Sequence, residues 1–208
     1  ISSTGSLIFL LVGFFGGIFM GAGVVISKYF GAGKKDSVQR AIHTSIAFAI
    51  IAGIILTIVG TLLTPQILRL MGTPDSVFSN ATLYVRIYFM GILSIVLYNT
   101  SSGIFQAVGD SKHPLYYLII SSIVNVVLDL IFVVVFEWGI GGAAIATVIS
   151  QTVSVVLAFY KLSTTTDVYK IDFKKIRIDP MILKEIIRLG LPAGIQNSVI
   201  ALANVVVQ

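Results

Sequence analysis

Residues 114–136 form an apolar run of 23 residues, and its only charged side chain is Asp129. A helix of roughly 20 apolar residues crosses the hydrocarbon core of a bilayer. Lipid offers no partner to a free backbone N–H or C=O, so an unbroken apolar run of this length folds as a spanning helix. A carboxylate at that depth is costly unless it is paired, hydrated or protonated, so Asp129 marks a functional position. Composition agrees with a membrane class. The chain is 56% hydrophobic and 11% charged, with a mean hydropathy of +0.99, whereas soluble domains carry about 25% charged residues. It has no cysteine, which excludes disulfides and thiolate metal sites.

Four further complete spans can be read at about 7–26, 41–63, 83–107 and 139–160, and a sixth begins near Met181. Thr64-Pro65 is expected to end the second. The fold class expected is therefore all-α, a polytopic transmembrane helical bundle. The connections alternate in charge. One side carries Lys28, Lys34, Lys35 and Arg40, then Lys112, then Lys161, Lys170, Lys174, Lys175 and Arg177. The other carries Met71-Gly72-Thr73-Pro74-Asp75 with Arg69, and Phe136-Glu137-Trp138. Lys and Arg favour the cytoplasmic side, which makes the first set internal and the second external. The net charge of +5 is then an orientation signal in a multi-pass plasma-membrane protein, and no nucleic-acid partner is expected. Residues 161–180 form the longest polar stretch, read as a cytoplasmic linker between two helical lobes. The chain begins Ile1-Ser2-Ser3-Thr4 without an initiator Met or a visible signal peptide. It stops at Val205-Val206-Val207-Gln208 within an apolar run. It reads as an internal piece of a longer, transporter-sized chain.

Polar residues inside the spans fall on stripes. Tyr117, Ser121, Asn125 and Asp129 recur every four residues, a step of about 400° that keeps them on one drifting face. Asn125 and Asp129 are neighbours there. A carboxylate with an amide oxygen offers hard ligands to a proton or a small cation such as Na⁺. Asp129 lies roughly 12 Å from Glu137, too deep for a short side chain to reach headgroup water easily. The plainer alternative is a protonated Asp bonded to a neighbouring helix. In the next span Thr147, Gln151, Ser154 and Ala158 form a similar stripe after Gly141-Gly142-Ala143-Ala144. Tyr84, Tyr88, Tyr98 and Ser102 share a face with Asn99 and Gln106 beside it, and Tyr98 is deep enough to line a cavity. Gly13, Gly17 and Gly21 form a packing face. Asn197, Ala201, Asn204 and Gln208 make a last polar stripe. His43 reads as a hydrogen-bonded surface group, and Arg86 as a snorkelling one. No phosphate-binding glycine loop followed by Lys-Ser/Thr is encoded. No Ser/His/Asp set or His/Glu cluster stands out either, so no enzyme is expected.

With these motifs in view, the chain resembles the multidrug and toxic compound extrusion (MATE) transporters. The resemblance is carried by Gly31-Ala32-Gly33-Lys34, Gln106-Ala107-Val108-Gly109-Asp110-Ser111-Lys112-His113-Pro114, Asn125-Val126-Val127-Leu128-Asp129, Gly141-Gly142-Ala143-Ala144-Ile145-Ala146-Thr147 with Gln151, and Arg188-Leu189-Gly190-Leu191-Pro192-Ala193-Gly194. It implies part of a two-lobe, twelve-helix architecture. Residues 1–160 would be helices two to six of the N-lobe, 161–180 the interlobe linker and 181–208 the start of helix seven. It also implies a cation site in which Asp129 is the coupling carboxylate and Asn125 its neighbour, with Thr147 giving a hydroxyl and Ala143 a main-chain carbonyl. Na⁺ would sit at Asp129, Asn125 and Thr147.

The function expected is a membrane antiporter that exports amphipathic, cationic organic compounds in exchange for H⁺ or Na⁺, with no other cofactor. Its partners would be the organic substrate, the bilayer and the remainder of the transporter chain, without which this piece should not transport. The candidate cavity-lining residues are Tyr98, Asn99, Ser121, Gln151, Asn197 and Asn204. The alternatives are a lipid-linked precursor flippase of the same superfamily, which needs a cavity rich in Arg and Lys, and a non-transporting membrane receptor or scaffold.

Overall fold

The computed structural model describes residues 2–70 and 72–207, with side chains for residues 16–69 and 72–200. Helix α1 covers Ser2–Gly31, α2 Lys35–Leu70, α3 Asp75–Met90, α4 Ile92–Ala107, α5 Lys112–Asp129, α6 Gly139–Thr164 and α7 Pro180–Val207. Among the described residues there is no strand, and the expected all-α membrane bundle is observed. Among the described residues, three helices are long and apolar enough to cross a membrane, or four if α3 and α4 count as one broken span.

Two boundaries differ from expectation. Helix α2 runs through Pro65 to Leu70. The turn beyond the proline is held from outside, because Leu68 is fully buried against Val85, Phe89 and Ile92. Tertiary packing here outweighs the missing backbone donor. The third span is not one rod, since α3 and α4 meet at Gly91 with a 42° bend. Gly91 is buried against α6, where an added Cβ would strike Val148. The bend lets α6 approach the junction.

Helix α5 continues past Asp129 as a π-helical segment, Leu130–Val135. Such widened turns inside α-helices are frequent at functional sites. The chain then reverses through Glu137, whose φ of 54° is left-handed. Trp138 packs on Phe132 and Phe136 at ring distances of 5.1 and 5.4 Å, an aromatic cluster at one end of the bundle.

At the opposite end the helices converge on a core of Val25, Ile26, Ile42, Phe105, Leu162 and Ile186. The connection 165–179 is folded onto this end. The Gln39 amide donates to the carbonyls of Val168 and Lys170. Ile171 N–H donates to Leu162 O at 2.8 Å, and Asp179 N–H to Thr44 Oγ1 at 3.0 Å. His43 is buried, only 4% exposed, rather than a surface group. Its Nδ1 meets Gln39 O at 2.7 Å and its Nε2 accepts from Asp172 N–H at 3.1 Å. That pair of partners requires the neutral ring with the proton on Nδ1.

Candidate functional site

Helices α5 and α6 are joined by hydroxyls. Ser121, 3% exposed, donates to Ser150 O at 2.8 Å. Ser154 donates to Tyr117 O at 3.4 Å. One turn further along the same α5 stripe the pattern changes. Asn125 Nδ2 and Asp129 Oδ1 are both buried atoms without a hydrogen-bond partner. On α6, Thr147 Oγ1 lies 3.0 Å from Ala143 O and donates to it. Buried polar atoms are nearly always paired, and an unpaired one costs about 1–3 kcal/mol, more when charged. The threonine hydroxyls of Thr57, Thr61, Thr73 and Thr82 share this state. Among the described residues Thr57 and Thr61 also flank one helical turn, but the pair on α5 is the one that includes a carboxylate. The turn thus holds one carboxylate and one amide, and the adjoining α6 carries the Thr147 hydroxyl and the Ala143 carbonyl. Such a donor set suits a proton or a small hard cation.

A second polar feature lies on the other side of the bundle. A cavity of about 610 Å³ opens between α1, α4 and the middle of α7. Phe19 and Met20 of α1 line it, with Asn99, Ser102 and Gln106 of α4 and Asn197 of α7. Its polar groups are neutral amides and the hydroxyls of Ser27 and Ser102, and the Gln106 amide donates to Ser102 Oγ at 3.1 Å. Beside the cavity the glycine face of α1 packs on α7. Gly17 lies on the backbone of Gly194, where no Cβ fits. At Gly21 a Cβ would come within 2.5 Å of Ile186 O and Gly190 N. Small residues allow this approach, as anticipated for Gly17 and Gly21; the side of Gly13 lies outside the described residues.

The α1–α7 contact ends in a charged latch. Lys28 Nζ donates to Glu185 Oε1 at 2.6 Å, and Tyr29 OH to Oε2 at 2.7 Å. The hydrogen bond from Lys28, then that from Tyr29, holds the Glu185 carboxyl below its usual range. The same bond holds Lys28 above its ordinary value.

The sequence-predicted residues therefore divide. Asp129 and Asn125 fall together on α5, and Thr147 and Ala143 together on the adjoining α6. Asn99 and Asn197 meet at the cavity. Tyr98 points its hydroxyl to Pro114 O at 2.8 Å, and Ser121 bonds Ser150, so both hydroxyls join helices. Gln151 is half-buried on α6 and is not among the residues lining the cavity. The side chain of Asn204 lies outside the described residues. Sequence reasoning missed Phe19 and Met20, which sit beside the glycine stripe, and it missed the partner of Glu185, 157 positions away from Lys28.

A bundle of bent apolar helices, three or four of them among the described residues long enough to cross a bilayer, is a polytopic membrane protein. The chain belongs to the MatE family, whose model matches residues 1–131. It is 31% identical over its whole length to a Bacillus subtilis (strain 168) protein named probable multidrug resistance protein YoeA, of which it covers 46%. It is 34% identical over 81% of its length to another from that organism, probable multidrug resistance protein YpnP, of which it covers 38%. It superposes on a solved inward-facing multidrug resistance MATE family transporter of the MOP superfamily with a TM-score of 0.87 and 27% identity. That match covers 97% of this chain and 46% of the other. The chain thus spans about half the length of the relatives it matches.

Proposed function

We propose that this chain forms the ion-coupling lobe of an antiporter that exports amphipathic, cationic organic compounds in exchange for H⁺ or Na⁺. The observation that carries the reading is the orphaned pair, Asp129 Oδ1 and Asn125 Nδ2. Residues 1–160 supply that lobe, 165–179 lie in a cytoplasmic linker, and α7 opens the second lobe. The basic residues gathered at the linker end support this orientation. Ion entry from outside neutralises Asp129, and the gain differs between the two states of the lobes. Only such a difference shifts the equilibrium toward outward release. The substrate occupies the cavity between α1, α4 and α7, where rings and alkyl groups meet Phe19 and Met20, and Asn99, Gln106 and Asn197 orient polar parts. That lining has no Arg or Lys, which disfavours a pyrophosphate-bearing lipid as cargo. The transport cycle belongs to the protein at the full length of its relatives.

The test uses the full-length transporter in proteoliposomes. Uptake of a fluorescent organic cation is followed under an imposed Na⁺ or pH gradient, for wild type and Asp129→Asn. Gradient-driven uptake lost in the variant is the expected result, and the effective gradient names the ion. Undiminished uptake in Asp129→Asn would overturn the assignment of the coupling site.

A further inference from the structure

Of the 14 Lys and Arg in the chain, all but Arg69 and Arg86 lie toward the end where the 165–179 connection folds. A cavity of about 570 Å³ opens there between the first turns of α2 and this connection. Its walls carry Arg40, Lys174, Lys175 and Arg177 against the carboxylates of Asp36 and Asp179. Arg40 is paired with Asp179 at 3.2 Å, and Lys175 with Asp172 at 3.4 Å. Among the described residues Lys174 and Arg177 make no ion pair and are exposed. Asp36 is likewise unpaired among the described residues, so the cavity's free charges are two basic and one acidic, and its edge keeps a positive excess. His43 in its wall has both ring nitrogens engaged, by Gln39 O and by Asp172 N–H.

The rim is apolar. Phe173 is 56% exposed and Met181 82%, with Ile178 and Tyr160 also exposed. The Phe173 ring stacks on Phe159 of α6 at 6.1 Å, with planes 16° apart. Phe159 lies five residues before the end of α6, roughly 7 Å back along that helix. The connection therefore does not stand out into water. It folds back along the flank of the bundle, at the level where a spanning helix meets headgroups.

We propose that the pocket between α2 and the 165–179 connection binds the phosphate headgroup of an anionic phospholipid. Lys174 and Arg177 hold the phosphate, and Phe173, Ile178 and Met181 dip into the acyl boundary. Basic clusters at the end of a spanning helix attract anionic leaflets, and exposed apolar side chains among them favour a lipid over a free anion, which needs no apolar rim. The inference rests on the membrane-spanning fold and not on any coupling ion, so failure of antiport would leave it standing.

Its test is the melting temperature of the full-length transporter in detergent, with phosphatidylglycerol or phosphatidylcholine added. Phosphatidylglycerol should raise it by about 2–4 °C, as for a ligand near tenfold its Kd, and phosphatidylcholine should not. The doubly substituted Lys174→Gln/Arg177→Gln protein should lose at least half of that difference while melting normally without lipid. Phe173→Ser should weaken the lipid effect as well. An equal rise from inorganic phosphate alone would make the pocket a free-anion site and overturn the lipid assignment. A phosphatidylglycerol preference retained in the double variant would overturn the pocket.

Discussion

The α1–α7 and α5–α6 contacts each bring two apolar helices together, by opposite means. Along α1–α7 the backbones touch at Gly17 and Gly194 and at Gly21 and Gly190. The seam then ends in the Lys28, Tyr29 and Glu185 latch, where every charged group has a partner. Along α5–α6 the helices are spaced by side chains and tied by the Ser121 and Ser154 hydroxyls, and the next turn leaves Asn125 and Asp129 unpartnered. A helix pair closed by shape is satisfied as it stands. One closed by hydrogen bonds stops short of its carboxylate, and Asp129 Oδ1 and Asn125 Nδ2 are left without a partner.

The largest effect should come from breaking the closer seam. Gly17→Ala puts a Cβ onto the backbone of Gly194, and neither backbone can give way without moving a helix. Overpacking of this kind costs about 1–3 kcal/mol. Gly16→Ala, one residue away, meets nothing within 4 Å and should raise stability by about 0.5–1 kcal/mol through lost chain entropy. Melting of the two full-length variants checks the pair. Equal melting would show that α1 and α7 do not touch in the complete protein.

The second effect separates bonded from orphaned groups within α5. Ser121→Ala removes a buried hydrogen bond and should lower stability by about 1 kcal/mol. It should leave any Na⁺- or pH-dependent shift in melting temperature intact. Asn125→Leu removes an amide nitrogen that has no partner, so stability should hold or rise while the ion-dependent shift falls. The reverse pattern, with the ion response lost in Ser121→Ala alone, would move the site one turn along the helix.

Much of this architecture was legible in the chain. Apolar runs gave the order and rough length of the helices, and the four-residue spacing placed Asn125 beside Asp129. What was not legible depended on contacts between distant segments. Pro65 reads as a stop until Leu68 is seen buried against α3. Gly91 reads as one more span glycine until Val148 of α6 is seen against it. Ser121 and Tyr98 carry hydroxyls that could face a cavity, and only the neighbouring carbonyls of Ser150 and Pro114 show that they join helices. Periodicity assigns a face to a residue, but not the partner that the face will meet.

The smallest effect concerns the latch that ends the glycine seam. The carboxyl of Glu185 is held below its ordinary value of 4.5 by Lys28 and then Tyr29. A depressed carboxylate contributes stability that is present above the unfolded value and lost as pH falls through the folded one. Lys28 is held above 10.5 by the same bond, so its contribution is present below that value and lost only as pH rises through the folded one. Both limits lie outside the neutral range. The difference in melting temperature between wild type and Glu185→Gln should therefore be small, because the Lys28 end of the pair is solvent-exposed, and constant from about pH 6 to 9. It should shrink only on approach to the carboxylate range. A difference that varies near neutrality would mean that some other titrating group controls the α1–α7 seam. A constant one assigns any neutral-range pH response of the full-length transporter to a site other than the latch.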